Sequence, residues 1–422
     1  MAFSTITSVA TWAIVALATG CVIARPWKLP EAVWAALGAA GLVALALLPW
    51  KDALRAVASG TDVYLFLTGM MLLAALARTQ GVFEWLAALA VRRARGSARR
   101  LFVLVFGVGT MVTVFLSNDA TAVVLTPAVY AAAQAAEADP MPYLFVCAFI
   151  ANAASFVLPI SNPANLVVFG GHVPPLPSWL LQFSAPSILS IGTTYVVLRV
   201  IERTSLRRPI APRIDIPDLS PAGRLTACGI AVAVAALLAA SAFGLQLGLP
   251  TFLAGMLTGS GVLLCRRQAP WGLLREISWN VLPLVAGLFV LVEGLIRTGA
   301  IQQLSHVLRA ASESSPGAAT WGAGAVVAFA CNLMNNLPVA LVAKSAVTAA
   351  SLPLRVTDAL LIGVDLGPNL SVTGSLATIL WLVALRREGE NVSAWKFLRL
   401  GIAVMVPALI MALSGLAMVQ LK

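Results

Sequence analysis

Ile362-Gly363-Val364-Asp365-Leu366-Gly367-Pro368-Asn369 (residues 362–369) lies inside an apolar segment long enough to cross a membrane. Its glycines and proline predict an unwound stretch there. Three more polar clusters interrupt apolar segments in the same way: Ser117-Asn118-Asp119, Ser161-Asn162-Pro163-Ala164-Asn165 and Asn335-Asn336-Leu337-Pro338. They fall two to each half of the chain. Lipid cannot hydrogen-bond a free peptide group, so a broken helix survives at membrane depth only around a cavity or inside protein. Paired breaks at corresponding places in two halves are the sequence mark of a transporter's binding site.

Composition sets the class. Of 422 residues, 60% are hydrophobic and 11% charged, against about 25% charged in soluble domains, and the mean hydropathy is +0.92. This is an integral membrane protein with many spans. The N-terminus is apolar with no basic residue before Arg25, unlike a cleaved signal peptide, so the first span is expected to be retained. The formal charge of +11 sits in loops between spans and forms no aromatic-interleaved patch. Nucleic acid is therefore not an expected partner, and the inward bias of positive charge explains the excess. Cys21, Cys147, Cys228, Cys265 and Cys331 are scattered without a CxxC pair, and His172 and His306 stand alone in expected connections. Neither a metal site nor a cofactor is expected.

Apolar stretches predict spans near 4–24, 31–49, 62–78, 143–170, 178–200, 223–243, 248–265, 280–298, 358–385 and 396–420. Segments 101–136 and 319–350 are apolar on both sides of a polar tip and read as re-entrant hairpins, their tips meeting near mid-membrane. With the N-terminus outside, Arg25, Lys28, the Arg92–Arg100 run, the Arg203–Arg224 segment, Arg266, Arg267, Arg386, Arg387, Lys396 and Arg399 fall inside. Both termini then face outward.

An internal echo divides the chain. Leu76-Ala77-Arg78-Thr79 resembles Leu295-Ile296-Arg297-Thr298, Asn118-Asp119 matches Asn335-Asn336, and Ser161-Asn162-Pro163 matches Gly367-Pro368-Asn369, in the same order. Five spans per half is an odd number, so the second half must be inverted. The expected fold is an all-α integral membrane protein of two inverted repeats, each with five transmembrane helices and one re-entrant hairpin. The first repeat is 1–202, with hairpin 101–136 and broken helix 143–170. A cytoplasmic linker rich in Pro and Arg spans 203–222. The second repeat is 223–422, with hairpin 319–350 and broken helix 358–385.

Acids inside membrane segments are functional candidates by default. Asp119, at a hairpin tip, would handle protons or cap the following helix. Asp365 is the second candidate, and two acids facing one cavity make a proton relay. Glu293 reads instead as a partner of Arg297 one helical turn on. The other polar residues at the breaks are neutral, chiefly Asn118, Ser161, Asn162, Asn165, Asn335, Asn336, Asn369 and Thr373. Amides and hydroxyls both donate and accept hydrogen bonds. With no Lys or Arg among the breaks and Lys344 the nearest, the balance favours a neutral solute over a strongly charged anion.

FLSNDATAVVLTPAV (115–129), ANAASFVLPISNPANLVVFG (151–170), NLMNNLPVALVA (332–343) and GVDLGPNLSVTGSLATILWL (363–382) resemble the ArsB-type arsenite efflux pump family of the ion transporter superfamily. DLGPN followed by GSLAT is the most specific match, and the resemblance covers nearly the whole chain. It implies export of As(OH)3 and Sb(OH)3 from the bacterial cytoplasm across the inner membrane, driven by the proton or charge gradient. It also implies a scaffold domain, a transport domain and possible service to an ArsA-type ATPase. Carried over by residue, it points to Asn118, Asp119, Asn162, Asn165, Asn335, Asn336, Asp365, Asn369 and Thr373. The residue reading agrees, since neutral arsenite is a glycerol-like trihydroxide that amides and hydroxyls can hold. Thiol capture lacks clustered cysteines. The competing readings are a sodium-coupled carrier for carboxylates or other anions, a sodium/proton antiporter of the same superfamily, and a membrane scaffold or channel subunit. The chain itself lacks GxxxxGK[ST], so any ATP drive must come from a partner.

Overall fold

The computed structural model describes residues 5–170, 173–211 and 218–419. All the regular structure described is helical. The first half runs α1 (Thr5–Ala24), α2 (Glu31–Ala44), α3 (Trp50–Ala58), α4 (Thr61–Thr79), α5 (Val82–Ala94), α6 (Ala98–Phe115), α7 (Thr126–Ala135), α8 (Met141–Ala153), α9 (Pro163–Phe169) and α10 (Leu176–Ile201). The second runs α11 (Pro221–Ala242), α12 (Gly248–Arg266), α13 (Trp271–Glu276), α14 (Val281–Arg297), α15 (Ala300–Ser314), α16 (Pro316–Met334), α17 (Asn336–Ala350), α18 (Leu354–Leu366), α19 (Leu376–Arg387) and α20 (Ala394–Met418).

Among the described residues, eight helices are long and apolar enough to cross a membrane unaided: α1, α4, α6, α10, α11, α12, α16 and α20. A ninth crossing forms if α14 and α15, bent by 75° at Gly299, count together. The ten expected spans all appear as helix, two of them (α8–α9 and α18–α19) in pieces. The lower unaided count has a physical cause. α2 stops at Ala44, short of the expected 49, and the breaks at 154–162 and 367–375 cut two segments below membrane length.

Helices α3, α5, α13 and α15 lie where loops were expected. They are short, and they mix apolar and charged residues, so a window tuned to 20 apolar residues passes over them. His306 accordingly sits exposed on α15, not in a connection, and His172 lies outside the described residues.

Side-chain caps mark several helix starts. Ser97, Ser220 and Ser393 accept from the backbone N–H groups of Arg100, Gly223 and Lys396. The linker is tied back to the first hairpin, where Ile210 N donates to Gly96 O (3.2 Å) and Ala211 N to Ala136 O (2.8 Å). Linker residues 212–217 and both chain ends lie outside the described residues.

Packing is reciprocal between halves. α4 lies along α12, α2 along α14, and α10 along α20. Small residues allow backbone-level contact, as membrane helices without a hydrophobic drive require. A Cβ at Gly69 would stand 2.3 Å from Thr251 O of α12, and one at Gly363 would stand 2.4 Å from Gly324 O of α16.

A helix, a break and a second helix stand at each expected hairpin position. The first leaves α6, breaks at 116–119, and re-enters through a widened π-type turn (Ala120–Leu125) before α7. Pro127, near the start of α7, has no N–H for the normal ladder, and the wider turn absorbs the defect. Thr126 Oγ1 donates to Thr121 O at 3.2 Å, spanning it. The second hairpin turns on Asn335 alone, at φ 72°.

Candidate substrate site

Each hairpin tip docks onto the break of its own half. Ser161 Oγ donates to Val114 O (2.9 Å), joining the break at 159–162 to α6. Asn336 N donates to Gly374 O (3.0 Å), joining α17 to the break after α18. Asn332, at the end of α16, donates from Nδ2 to Gly367 O (3.0 Å) and accepts from Ser371 Oγ (2.7 Å).

The two broken helices then cross. Asn152 Nδ2 donates to Asn369 Oδ1 (2.9 Å), and Asn369 Nδ2 donates to Phe149 O (2.9 Å). One turn away, Asn162 Nδ2 donates to Asp365 Oδ1 (2.8 Å). Asn162 is extended (φ −149°, ψ 132°), and Asn369 sits in a 3-10 turn. Continuous helix runs through neither residue.

The individual side chains divide by what their hydrogen bonds already do. Asn165 Nδ2 donates to Ser155 O (2.9 Å) and Leu158 O (3.2 Å), fixing the uncoiled stretch. Ser161 is occupied on both sides, also accepting from Leu158 N (3.2 Å). Thr373 Oγ1 reaches Asn332 O (3.1 Å), and both polar atoms of the Asn369 amide are taken. Asn335 Oδ1 accepts from Leu337 N (3.4 Å) and caps α17. These five hold the breaks open, answering the demand that buried polar groups find partners, except that Asn165 Oδ1 is buried without one.

Other groups remain free. The first tip is capped by Ser117 Oγ, which accepts from Ala120 N (3.1 Å), and by Asn118 Oδ1, which accepts from Asp119 N (3.0 Å). Asp119 makes no cap bond, so its carboxylate is released from the helix end. Asp365 is fully buried, and its Oδ2 has no hydrogen-bond partner. Ser155, beside it, donates to Asn152 O (2.7 Å). The Asn336 side chain makes no hydrogen bond among the described residues and is 4% exposed.

Asp119 opens into a cleft between α4 and the first hairpin, Pro163 and α19. Its lining includes Ser117, Asp119, Arg78, Glu276 and Ser278. Sequence reading placed no cation near the breaks. The fold brings Arg78 there from the far end of α4, where it pairs with Glu276 of α13.

Three further acids escaped the sequence reading. Arg297 does meet Glu293, at 3.9 Å, but its close partner is Asp52 of α3, which also pairs with Arg55. Asp62 Oδ1 accepts from Gly248 N (2.8 Å) and joins α4 to α12. Asp358 is fully buried with neither oxygen bonded. Asp358 had a readable signal, an acid within a membrane segment, whereas Asp52 and Glu276 lie in the short amphipathic helices taken for loops.

A chain with many membrane-length helices and with broken helices bonded across its middle is built as a membrane transporter. It belongs to the citrate transporter family, whose model matches residues 14–364, together with the arsenical pump membrane proteins. The arsenical pump membrane protein of Escherichia coli K12 is 30% identical over 360 residues, covering 80% of this chain and 82% of that one. A Yersinia enterocolitica protein of the same description is 29% identical over 361 residues, with the same coverage. Among solved structures, the YdaH transporter of Alcanivorax borkumensis, described as having an unusual topology, superposes with a TM-score of 0.56 over 87% of each chain at 14% identity. That likeness concerns fold alone.

Proposed function

We propose that this chain is a secondary carrier that expels As(OH)3 and Sb(OH)3 from the bacterial cytoplasm in exchange for protons. The observation that carries it is the division of labour between two intramembrane acids. Asp119 faces an open cleft, and Asp365 is buried where the two broken helices cross, held by Asn162. An acid at each place lets one proton-loaded and one proton-free state differ in what the cleft holds. The relatives named as arsenical pumps support the solute. Substrate contacts fall to Asn118, Ser161, Asn162, Asn165, Asn335, Asn336, Asn369 and Thr373, with Asn118 and Asn336 holding the free amide groups. The other six act largely by keeping the breaks uncoiled.

The architecture proposed is the inverted repeat, 1–202 against 223–422, joined by the 203–222 linker. Reciprocal pairing of α4 with α12 and α2 with α14 supports it, as does the exchange of ion pairs: Arg78 to Glu276 and Arg297 to Asp52. Helices α1–α5 and α11–α15 make the scaffold. The hairpins, broken helices, α10 and α20 make the transport domain. With both termini outside, the Asp119 cleft opens to the cytoplasm, ready to load. A separate ArsA-type ATPase remains compatible with this chain as its membrane subunit.

A second reading, a sodium-coupled carboxylate carrier or sodium/proton antiporter, draws on the family's description and on Arg78 in the cleft. Everted vesicles given radiolabelled arsenite, with sodium and pH varied independently, separate the readings. Accumulation driven by a pH gradient without sodium is expected. Strict sodium dependence would sink the proton reading.

A further inference from the structure

We propose that the Arg78–Glu276 ion pair sets the charge selectivity of the Asp119 cleft, with Glu276 neutralising an arginine that would otherwise capture small oxyanions. The inference rests on the proposed neutral-solute reading and sharpens it.

Arg78 is the cation among the residues lining this cleft, and Asp119 and Glu276 are its acids. A guanidinium is permanently charged and presents a planar fork that matches a carboxylate bidentately. Left alone on a cleft wall, it is an anion site. Here the guanidinium is met through Nη2 by Glu276 Oε2, from a helix of the other half. Both side chains stay reachable from the cleft, 36% and 43% exposed.

An ion pair so exposed contributes little to stability, so holding two helices together is a weak reason for it. Its location gives a better one. The corresponding pair, Arg297–Asp52, is different: Asp52 is 9% exposed, shares a second arginine, and neither partner lines the cavity beside α14. Of two ion pairs in corresponding places, the one facing the open cleft is the one a solute meets. Specificity of this kind works by removing attraction for the wrong ligand.

The test compares wild type, Glu276→Gln, Arg78→Gln and the double variant in everted vesicles, each as the ratio of arsenite uptake with and without millimolar citrate. Citrate should leave the ratio near one in wild type, Arg78→Gln and the double variant. It should cut uptake by about fivefold or more in Glu276→Gln, because only there is a charged fork exposed. A ratio near one in Glu276→Gln would overturn the proposal. So would equal slowing of both single variants with no citrate effect, the mark of a purely structural tie. Glu276→Ser removes the same charge and serves if the Gln variant does not accumulate. Citrate-dependent thermal stabilisation of purified protein, expected for Glu276→Gln but not wild type or the double variant, needs no turnover. If no variant moves arsenite, the efflux reading fails, while this binding assay still decides the charge filter.

Discussion

The two hairpin tips occupy corresponding places and differ in charge. The first ends in Ser117-Asn118-Asp119, caps itself with the serine and asparagine, and leaves an acid facing a cleft. The second turns on Asn335 in a left-handed backbone that favours glycine, caps itself with that residue, and presents the neutral Asn336. A cavity farther along α17, beyond the tip, is lined by Lys344 and Glu293. Lys344 Nζ sits 5.8 Å from the Phe289 ring centroid. Matched backbone breaks thus carry different chemistry. On the proposed proton-exchange reading, the break provides the shape, and one side chain at the tip decides whether the site can take a proton. If this is right, backbone changes should hurt both halves alike, and charge changes should hurt one.

The largest effect expected is therefore on packing. Gly363→Val would drive a side chain into the Gly324 carbonyl of α16, 2.4 Å from where its Cβ would stand. Overpacking of this kind costs about 1–3 kcal/mol and sometimes more, so little folded protein should survive size-exclusion chromatography. Gly322→Val, on α16 but with nothing within 4 Å, is the control and should behave as wild type.

Next comes the charge itself. Asp119→Asn should lower pH-driven arsenite accumulation by about 5–150-fold, the usual span of a coupling free energy between two sites, in protein that remains folded. The mirror change, Asn336→Asp, should not restore transport in that background. Restoration would show that the tips are interchangeable, and the contrast between them would fall.

A smaller effect is expected at the crossing. Asn162→Ala and Asp365→Ala each break the 2.8 Å bond, so their stability losses should not add. A buried hydrogen bond is worth about 0.5–1.5 kcal/mol, and a double-mutant cycle by thermal unfolding should show coupling of that size. Strict additivity would mean that Asn162 and Asp365 do not act together.

Much of this was legible in the sequence because lipid enforces it. Glycine, proline and asparagine inside a 20-residue apolar run cannot be hidden, so the breaks at 161–165, 335–338 and 367–369 announced themselves. What each residue does there was less legible. Asn165, Ser161 and Thr373 look like ligands in a list of polar residues, yet their bonds go to backbone carbonyls. Arg78 was hidden for the opposite reason. It lies about 40 residues before the first tip, and only the tertiary path of α4 brings it to the cleft. Asp52 and Glu276 sit on helices too short and too mixed for the membrane pattern to register.

The two exchanged ion pairs give the most sensitive test of the comparison, because they hold the chemistry nearly constant and vary the setting. Asp52 is almost fully covered and accepts from both Arg297 and Arg55. Asp52→Asn leaves Arg297 with Glu293, 3.9 Å away, as its counter-charge, and the loss of a charged hydrogen bond should cost about 1.5–3 kcal/mol. Glu276→Gln removes an ion pair that solvent already screens, and the cost should be about 0–1 kcal/mol. Thermal unfolding of the two purified variants, at low and high salt, reads the difference directly. Salt should shrink the Glu276 effect and leave most of the Asp52 effect, since a covered pair is screened less. Equal losses in both variants would mean the cleft side is as closed to water as the Asp52 side, and the case for a solute-accessible Arg78 would go with it.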